Sequence, residues 1–181
     1  MRRRGFEVIT SYQDQGIELP KRATKRAAGY DIAAGETVTI PSIWSTVVSY
    51  VAKDWSMFKA AKNFKQAIKE EVMKPTLVPT GLKAYMGEEE YLQLTCRSSN
   101  PLKRFLTLPN GVGIIDSDYY NNKNNEGHIY VQLLNFGLRD ITIQKGDRIA
   151  QGIFLNFLAT DDDDTSTAQE RSGGFGSSDE S

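Results

Sequence analysis

The segment 110–135, NGVGIIDSDYYNNKNNEGHIYVQLLN, constrains this chain more than any other, because it asks for β structure twice in succession. Its second half, His128 to Leu134, alternates as a half-buried strand does, with Ile129, Val131 and Leu133 on one face. Its first half packs Gly111 and Gly113 among the β-branched Val112, Ile114 and Ile115, then places Asp116, Asp118 and Tyr119 just beyond. That pattern predicts a hairpin presenting a carboxylate and an aromatic ring. Taken alone, an Asp after an apolar run is most often a turn residue, so the rest of the chain has to decide what Asp116 is for.

Strand-like alternation recurs on both sides. Phe6, Val8 and Thr10 alternate with Glu7 and Ile9 before a polar turn, and Val38 and Ile40 mark a second strand. TLVPTGLKAYM and EEEYLQLTC read as two strands joined at Gly87, and GDRIAQGIF as a turn followed by a strand. Residues 42–74 break the pattern. Trp55, Phe58, Ala61, Phe64, Ile68 and Val72 fall at spacings of three and four, with Asp54 as N-cap and Pro75 as stop. An amphipathic helix packed on the β core is expected there. Ile43 to Val51 suits a strand by its β-branched residues and a helix by its spacing.

Composition excludes several function classes. With 181 residues, 39% hydrophobic and 25% charged, the chain has the size and balance of one globular domain. No apolar run approaches the roughly 20 residues of a membrane helix, and no apolar region follows the Met1–Arg4 start, so neither an anchor nor a signal peptide is expected and a cytoplasmic location is. Cys96 and His128 are the only residues of their kinds, which rules out an internal disulfide and argues against a zinc site. A net charge of −1 argues against a dominant nucleic-acid surface, so any phosphate recognition has to be local. From 161 to 181 seven acids stand against Arg171, a net charge of −6, and a flexible C-terminal arm is expected.

Five short motifs carry the chemistry, and their order matters more than any one of them. They are LP followed by a basic segment and AGYDIAA around Asp31; Arg97-Ser98-Ser99-Asn100-Pro101; GIIDSDY around Asp116; GDRIAQGIF around Gln151; and RSGGFGSS with Arg171 and Phe175. In this order they resemble the motifs of the trimeric dUTP pyrophosphatases, the dUTPases, over most of the chain outside 42–74. That segment has the place of an insertion, since the family passes there through only a few residues. Ser99 stands where the family more often has Gly, and Asp179 stands where a Gly commonly follows.

The resemblance implies an all-β, jelly-roll-like subunit of a homotrimer, with residues 1–160 as the β domain, a helical insert at about 42–74 and a C-terminal arm over 161–181. It implies hydrolysis of dUTP to dUMP and pyrophosphate, with Mg²⁺ held by the phosphates and by waters that Asp31 helps to order, and with no direct protein ligand. Asp116 would orient and deprotonate the attacking water. Arg97, Ser98, Ser99, Gln151 and Arg171 would meet the phosphates, Asn110 and Gly113 the uracil, Tyr119 the sugar, and Phe175 would stack on the base. Arg148 is read as structural. The nearest rival is the related dCTP deaminase, which needs a Glu three places before the Asn that closes the strand; Gln132 stands there, and a neutral amide cannot shuttle protons. A rival of another class is a regulatory binding protein whose insert contacts a protein partner. No nucleic-acid or membrane partner is expected.

Overall fold

The computed structural model describes residues 2–53 and 74–163. Among them are β1 (Gly5–Val8), β2 (Lys21–Arg22), β3 (Tyr30–Ala33), β4 (Val38–Ile40), one α-helix α1 (Ile43–Lys53), β5 (Thr76–Pro79), β6 (Leu82–Tyr85), β7 (Glu90–Cys96), β8 (Leu106–Thr107), β9 (Val112–Asp116), β10 (Tyr130–Asn135), β11 (Ile141–Ile143) and β12 (Arg148–Asn156). Among the described residues the fold is β apart from α1 and short 3₁₀ and π turns, the β class expected. A five-stranded sheet runs β2-β3-β12-β7-β9, a three-stranded sheet runs β5-β10-β8, and β1-β6 and β4-β11 form two pairs. Every pairing between named strands is antiparallel.

The core is the sum of the inward halves of these strands. Ile32, Val78, Leu92, Leu106, Ile129, Val131, Leu133, Ile143 and Ile149 are all fully buried. Ile129, just ahead of β10, and Val131 and Leu133 within it face this core, the burial that the alternation predicts. Burying each such side chain contributes about 1.5–3 kcal/mol, which makes the facing of each strand a strong constraint.

Two sequence expectations need correction. The segment read as one strand over TLVPTGLKAYM is two, β5 and β6, broken at Thr80-Gly81, where Gly81 takes φ +72°. A Cβ there would lie 2.7 Å from the Tyr12 ring, so glycine is required by both backbone and contact. The hairpin expected at 110–116 is a turn between strands of different sheets: β8 pairs with β10 and β9 with β7. The ambiguous stretch from Ile43 is helical. Ser42 Oγ accepts from the N–H groups of Trp44 (3.1 Å) and Ser45 (3.3 Å), an N-cap arrangement, while Asp140 Oδ1 accepts from Ser42 N (2.8 Å) and Ser45 Oγ (2.7 Å). The helix expected over 55–72 lies outside the described residues, as does the arm from 164 on. Among the described residues no helix is long and apolar enough to cross a membrane.

Candidate active site

The residues around Asp31 form one half of the site. Asp31 sits mid-β3, directly opposite Gln151 in β12. Arg97 Nε donates to its Oδ1 at 2.9 Å and Arg148 Nη1 to its Oδ2 at 3.1 Å, with Gln151 Nε2 3.5 Å from Oδ1. The Asp31 side chain is 8% exposed, Arg97 21% and Arg148 57%. One carboxylate between two guanidinium groups leaves a positive excess, and its outermost part, Arg148, faces solvent. Such an arrangement suits the oxygens of a polyphosphate, which guanidinium groups bind in charge-assisted hydrogen bonds.

Local structure explains how these side chains converge. Gly29, in AGYD, leaves room for Gln151: a Cβ there would approach the Gln151 side chain to 3.2 Å. Arg97 follows the last residue of β7, and Asn100 N–H closes the turn onto Arg97 O at 2.9 Å. The fully buried Asn100 side chain anchors that turn to β12 by donating to Ile149 O at 2.6 Å. Ser98 and Ser99 lie within it, Ser98 exposed. Ser99 has φ −73° and ψ −22°, so the conformation needs no glycine and the departure from the family's Gly costs nothing here.

Arg148, read from the sequence as structural, is held against Asp31 by an unexpected local geometry. In a regular strand residues 148 and 151, three apart, would point to opposite faces. A register shift between Arg148 and Ala150 in the pairing with β3 inserts an extra residue, and the bulge turns both side chains toward Asp31. GDRIAQ contains no local signal of that bulge.

The second half of the site is a pocket of about 150 Å³ where the edge strand β9 faces β10. Its walls include Asn110, Gly113, Tyr119, His128 and Gln132. Tyr119 is 4% exposed; its hydroxyl donates to His128 O at 3.0 Å and accepts from Asn125 Nδ2 at 2.8 Å, so only the ring is available to a ligand. His128 Nε2 accepts from Gly81 N–H at 3.0 Å, and burial pushes the imidazole pKa down to about 4, which keeps the ring neutral and structural. Gly113 lies opposite Leu94, whose Cβ would be 3.3 Å from an added Cβ. Asp116 lies between the lining residues Ile115 and Tyr119 in the chain and is half-buried.

The sheet register keeps the two halves apart. Asp31, Gln151, Thr95 and Val112 stand directly opposite one another across β3, β12, β7 and β9, so they share a face. Asp116 is four residues further along β9. At about 3.3 Å per residue and 4.8 Å per strand, Asp116 lies roughly 13 Å along and 14 Å across from Asp31, on the order of 20 Å in all. A single chain therefore does not bring Asp116 to the cluster of Asp31, Arg97, Arg148 and Gln151. Val112 (42% exposed), Ile114 (48%) and Leu155 (37%) leave this region of the sheet apolar toward the outside.

No three His, Cys, Asp or Glu side chains cluster as metal ligands among the described residues, and both Asp31 oxygens already accept hydrogen bonds from Arg97, Arg148 and Gln151. This face fits an anion rather than a cation chelated by protein. Arg171 and Phe175 lie outside the described residues.

Comparison with known proteins agrees with the motifs and the fold. The family model described as dUTPase matches residues 59–179. The deoxyuridine 5'-triphosphate nucleotidohydrolase of Lactococcus lactis subsp. lactis is 45% identical over 177 residues, 98% of this chain and 98% of that protein. The crystal structure of the Streptococcus mutans dUTPase superposes with a TM-score of 0.67 at 41% identity, covering 87% of this chain and 98% of that one. The dUTPase of phage phi11 of S. aureus, at 16% identity and a TM-score of 0.61 over 90% of this chain and 96% of that one, shares the fold. With its motifs in order on a jelly-roll-like β fold, and with close identity to such an enzyme along nearly its whole length, the chain belongs to the dUTPase family.

Proposed function

We propose that this chain hydrolyses dUTP to dUMP and pyrophosphate as a homotrimer whose active sites are shared between subunits. The observation that carries the reading is the separation just derived: an anion-binding cluster at one end of a sheet face, and a ring-sized pocket with a carboxylate about 20 Å away. Each is half of a nucleoside triphosphate site. Subunits packed against the apolar outer face at Val112, Ile114 and Leu155 would bring one chain's Asp116 and pocket to another chain's Arg97 and Gln151.

In that arrangement the pocket holds uracil, with Asn110 and Gly113 at its wall, and the Tyr119 ring packs against the sugar where a ribose 2'-hydroxyl would clash. Ser98, Ser99, Arg97, Gln151 and Arg148 take the phosphate oxygens. Mg²⁺ enters bound to the triphosphate and offsets its charge, as part of the substrate. Asp31 holds Arg97, Arg148 and Gln151 in place, and its remaining acceptor capacity can order a water near the metal. Asp116 orients the attacking water and takes its proton, an effect of about 10²–10⁴-fold in such reactions. The arm over 161–181 brings Arg171 to the phosphates and Phe175 to the base, closing the site against water. A neutral Gln132 at the position of the deaminase's acid leaves that rival without its proton carrier.

Pyrophosphate release measured in parallel on dUTP, dCTP, dTTP and UTP tests the reading. dUTP should be turned over far faster than the other three; comparable rates on UTP or dTTP would sink it.

A further inference from the structure

The pocket between β9 and β10 contains more polar chemistry than the five motifs account for. At about 150 Å³ it matches an engineered protein cavity that takes a benzene ring, so it has room for a single pyrimidine ring. Several of its polar groups are already engaged: the Tyr119 hydroxyl by His128 O and Asn125, and the His128 ring by Gly81 N–H. Gln132 differs. It lies in β10 opposite Leu77, between the fully buried Val131 and Leu133, and is itself half-buried. Its carboxamide makes no hydrogen bond among the described residues. A half-buried primary amide lining a ring-sized pocket offers two donors and an acceptor that no protein group among the described residues uses.

We infer that Gln132 is a further specificity-determining residue, hydrogen-bonding through its carboxamide to the polar edge of the pyrimidine seated between β9 and β10. The inference rests on the dUTP reading for the identity of the ring. Uracil presents two carbonyl acceptors flanking an N–H, and the Gln132 amino group satisfies one carbonyl without a charge. Glutamate at this position would be a pure acceptor when ionised. It would face the uracil carbonyl as acceptor against acceptor, yet accept from the exocyclic amino group of cytosine. A hydrogen-bonding site discriminates most sharply in this way, because the wrong base leaves polar groups unpaired.

The test is titration calorimetry of wild type, Gln132→Met and Gln132→Glu with non-hydrolysable analogues of dUTP and dCTP, beside pyrophosphate release from dUTP itself. Gln132→Met should bind the uracil analogue about tenfold more weakly, the cost of one lost hydrogen bond. Gln132→Glu should lose on the order of a hundredfold for uracil and much less for cytosine, narrowing the ratio between the bases. A residue that served packing alone would weaken both analogues equally. Thermal unfolding without ligand checks that each variant is folded; if Gln132→Glu is not, Gln132→Met decides. Affinities of the variants within about twofold of wild type would overturn the assignment, whatever the catalytic rate. Wild type that binds the uracil analogue in a Gln132-dependent way but releases no pyrophosphate would keep the assignment and overturn the hydrolytic reading. No binding by wild type would overturn both.

Discussion

Two carboxylates and one imidazole show how differently a titratable side chain can be used in this protein. Asp31 is 8% exposed and engaged by two guanidinium groups, so its charge holds cations in position. Asp116 stands at the end of an edge strand, next in the chain to the pocket residue Ile115, and is the base in the proposed reaction. Asp116→Asn should lower pyrophosphate release from dUTP by more than about tenfold while analogue affinity changes little; a variant that keeps more than a tenth of the wild-type rate would remove Asp116 from that role. His128 makes a separate prediction. The unfolded chain takes up its proton near pH 6.5, the folded chain only near 4, so stability falls as pH drops between these values and is unaffected by this group above them. The loss at pH 5 is about 2 kcal/mol. Glu90, Glu126 and Asp140, whose pKa values are lowered by hydrogen-bond partners, lose their contribution only as pH falls further. Urea unfolding at pH 7 and pH 5, at one protein concentration, should therefore show a smaller pH difference for His128→Gln than for wild type. An equal difference would mean that the imidazole titrates normally in the fold.

At the scale of elements, the start of α1 shows a local ambiguity decided by a distant partner. Ile43 to Val51 fits two periods equally, and what selects the helix is its N-terminus: the Ser42 hydroxyl caps Trp44 and Ser45 N–H and donates to Gly137 O, while Asp140 accepts from Ser42 and Ser45. Ser42 and Ser45 are near in sequence and could be suspected from it; Asp140, nearly a hundred residues away, could not. Ser42→Ala should cost about 1–2 kcal/mol, a lost cap together with a buried hydrogen bond, read as a lower thermal midpoint with the β fold retained. A midpoint unchanged within error would show that tertiary packing rather than the cap holds the helix. The β12 bulge is the same lesson in a strand. It puts Arg148 and Gln151 on one side, where a period of two places them apart.

For the whole molecule, the two half-sites make a strong demand on assembly. Sedimentation should give three times the chain mass. Asp116→Asn chains and Arg97→Ala chains, each impaired alone, should partly restore turnover when co-assembled, because some sites would draw an intact Asp116 from one subunit and an intact Arg97 from another. Arg97→Ala leaves Asp31 paired with Arg148, which keeps that variant foldable. No recovery in verified mixed trimers would mean that each chain completes its own site.

The sequence by itself determined the β class, the facing of β10 and the order of the motifs, and it supplied the side chains to which the proposed chemistry is assigned. Those properties are local: alternation along a strand dictates which residues are buried, and a motif's residue types dictate what it can bind or protonate. The tertiary structure decided who meets whom. That Arg148, 117 residues from Asp31, pairs with it, that Gln132 lines the same pocket as Tyr119, and that Asp116 stands four residues off the row of Asp31 and Gln151 all follow from strand register. Register arises from pairings between distant segments and from bulges that shift them, and a period-of-two pattern is silent about both.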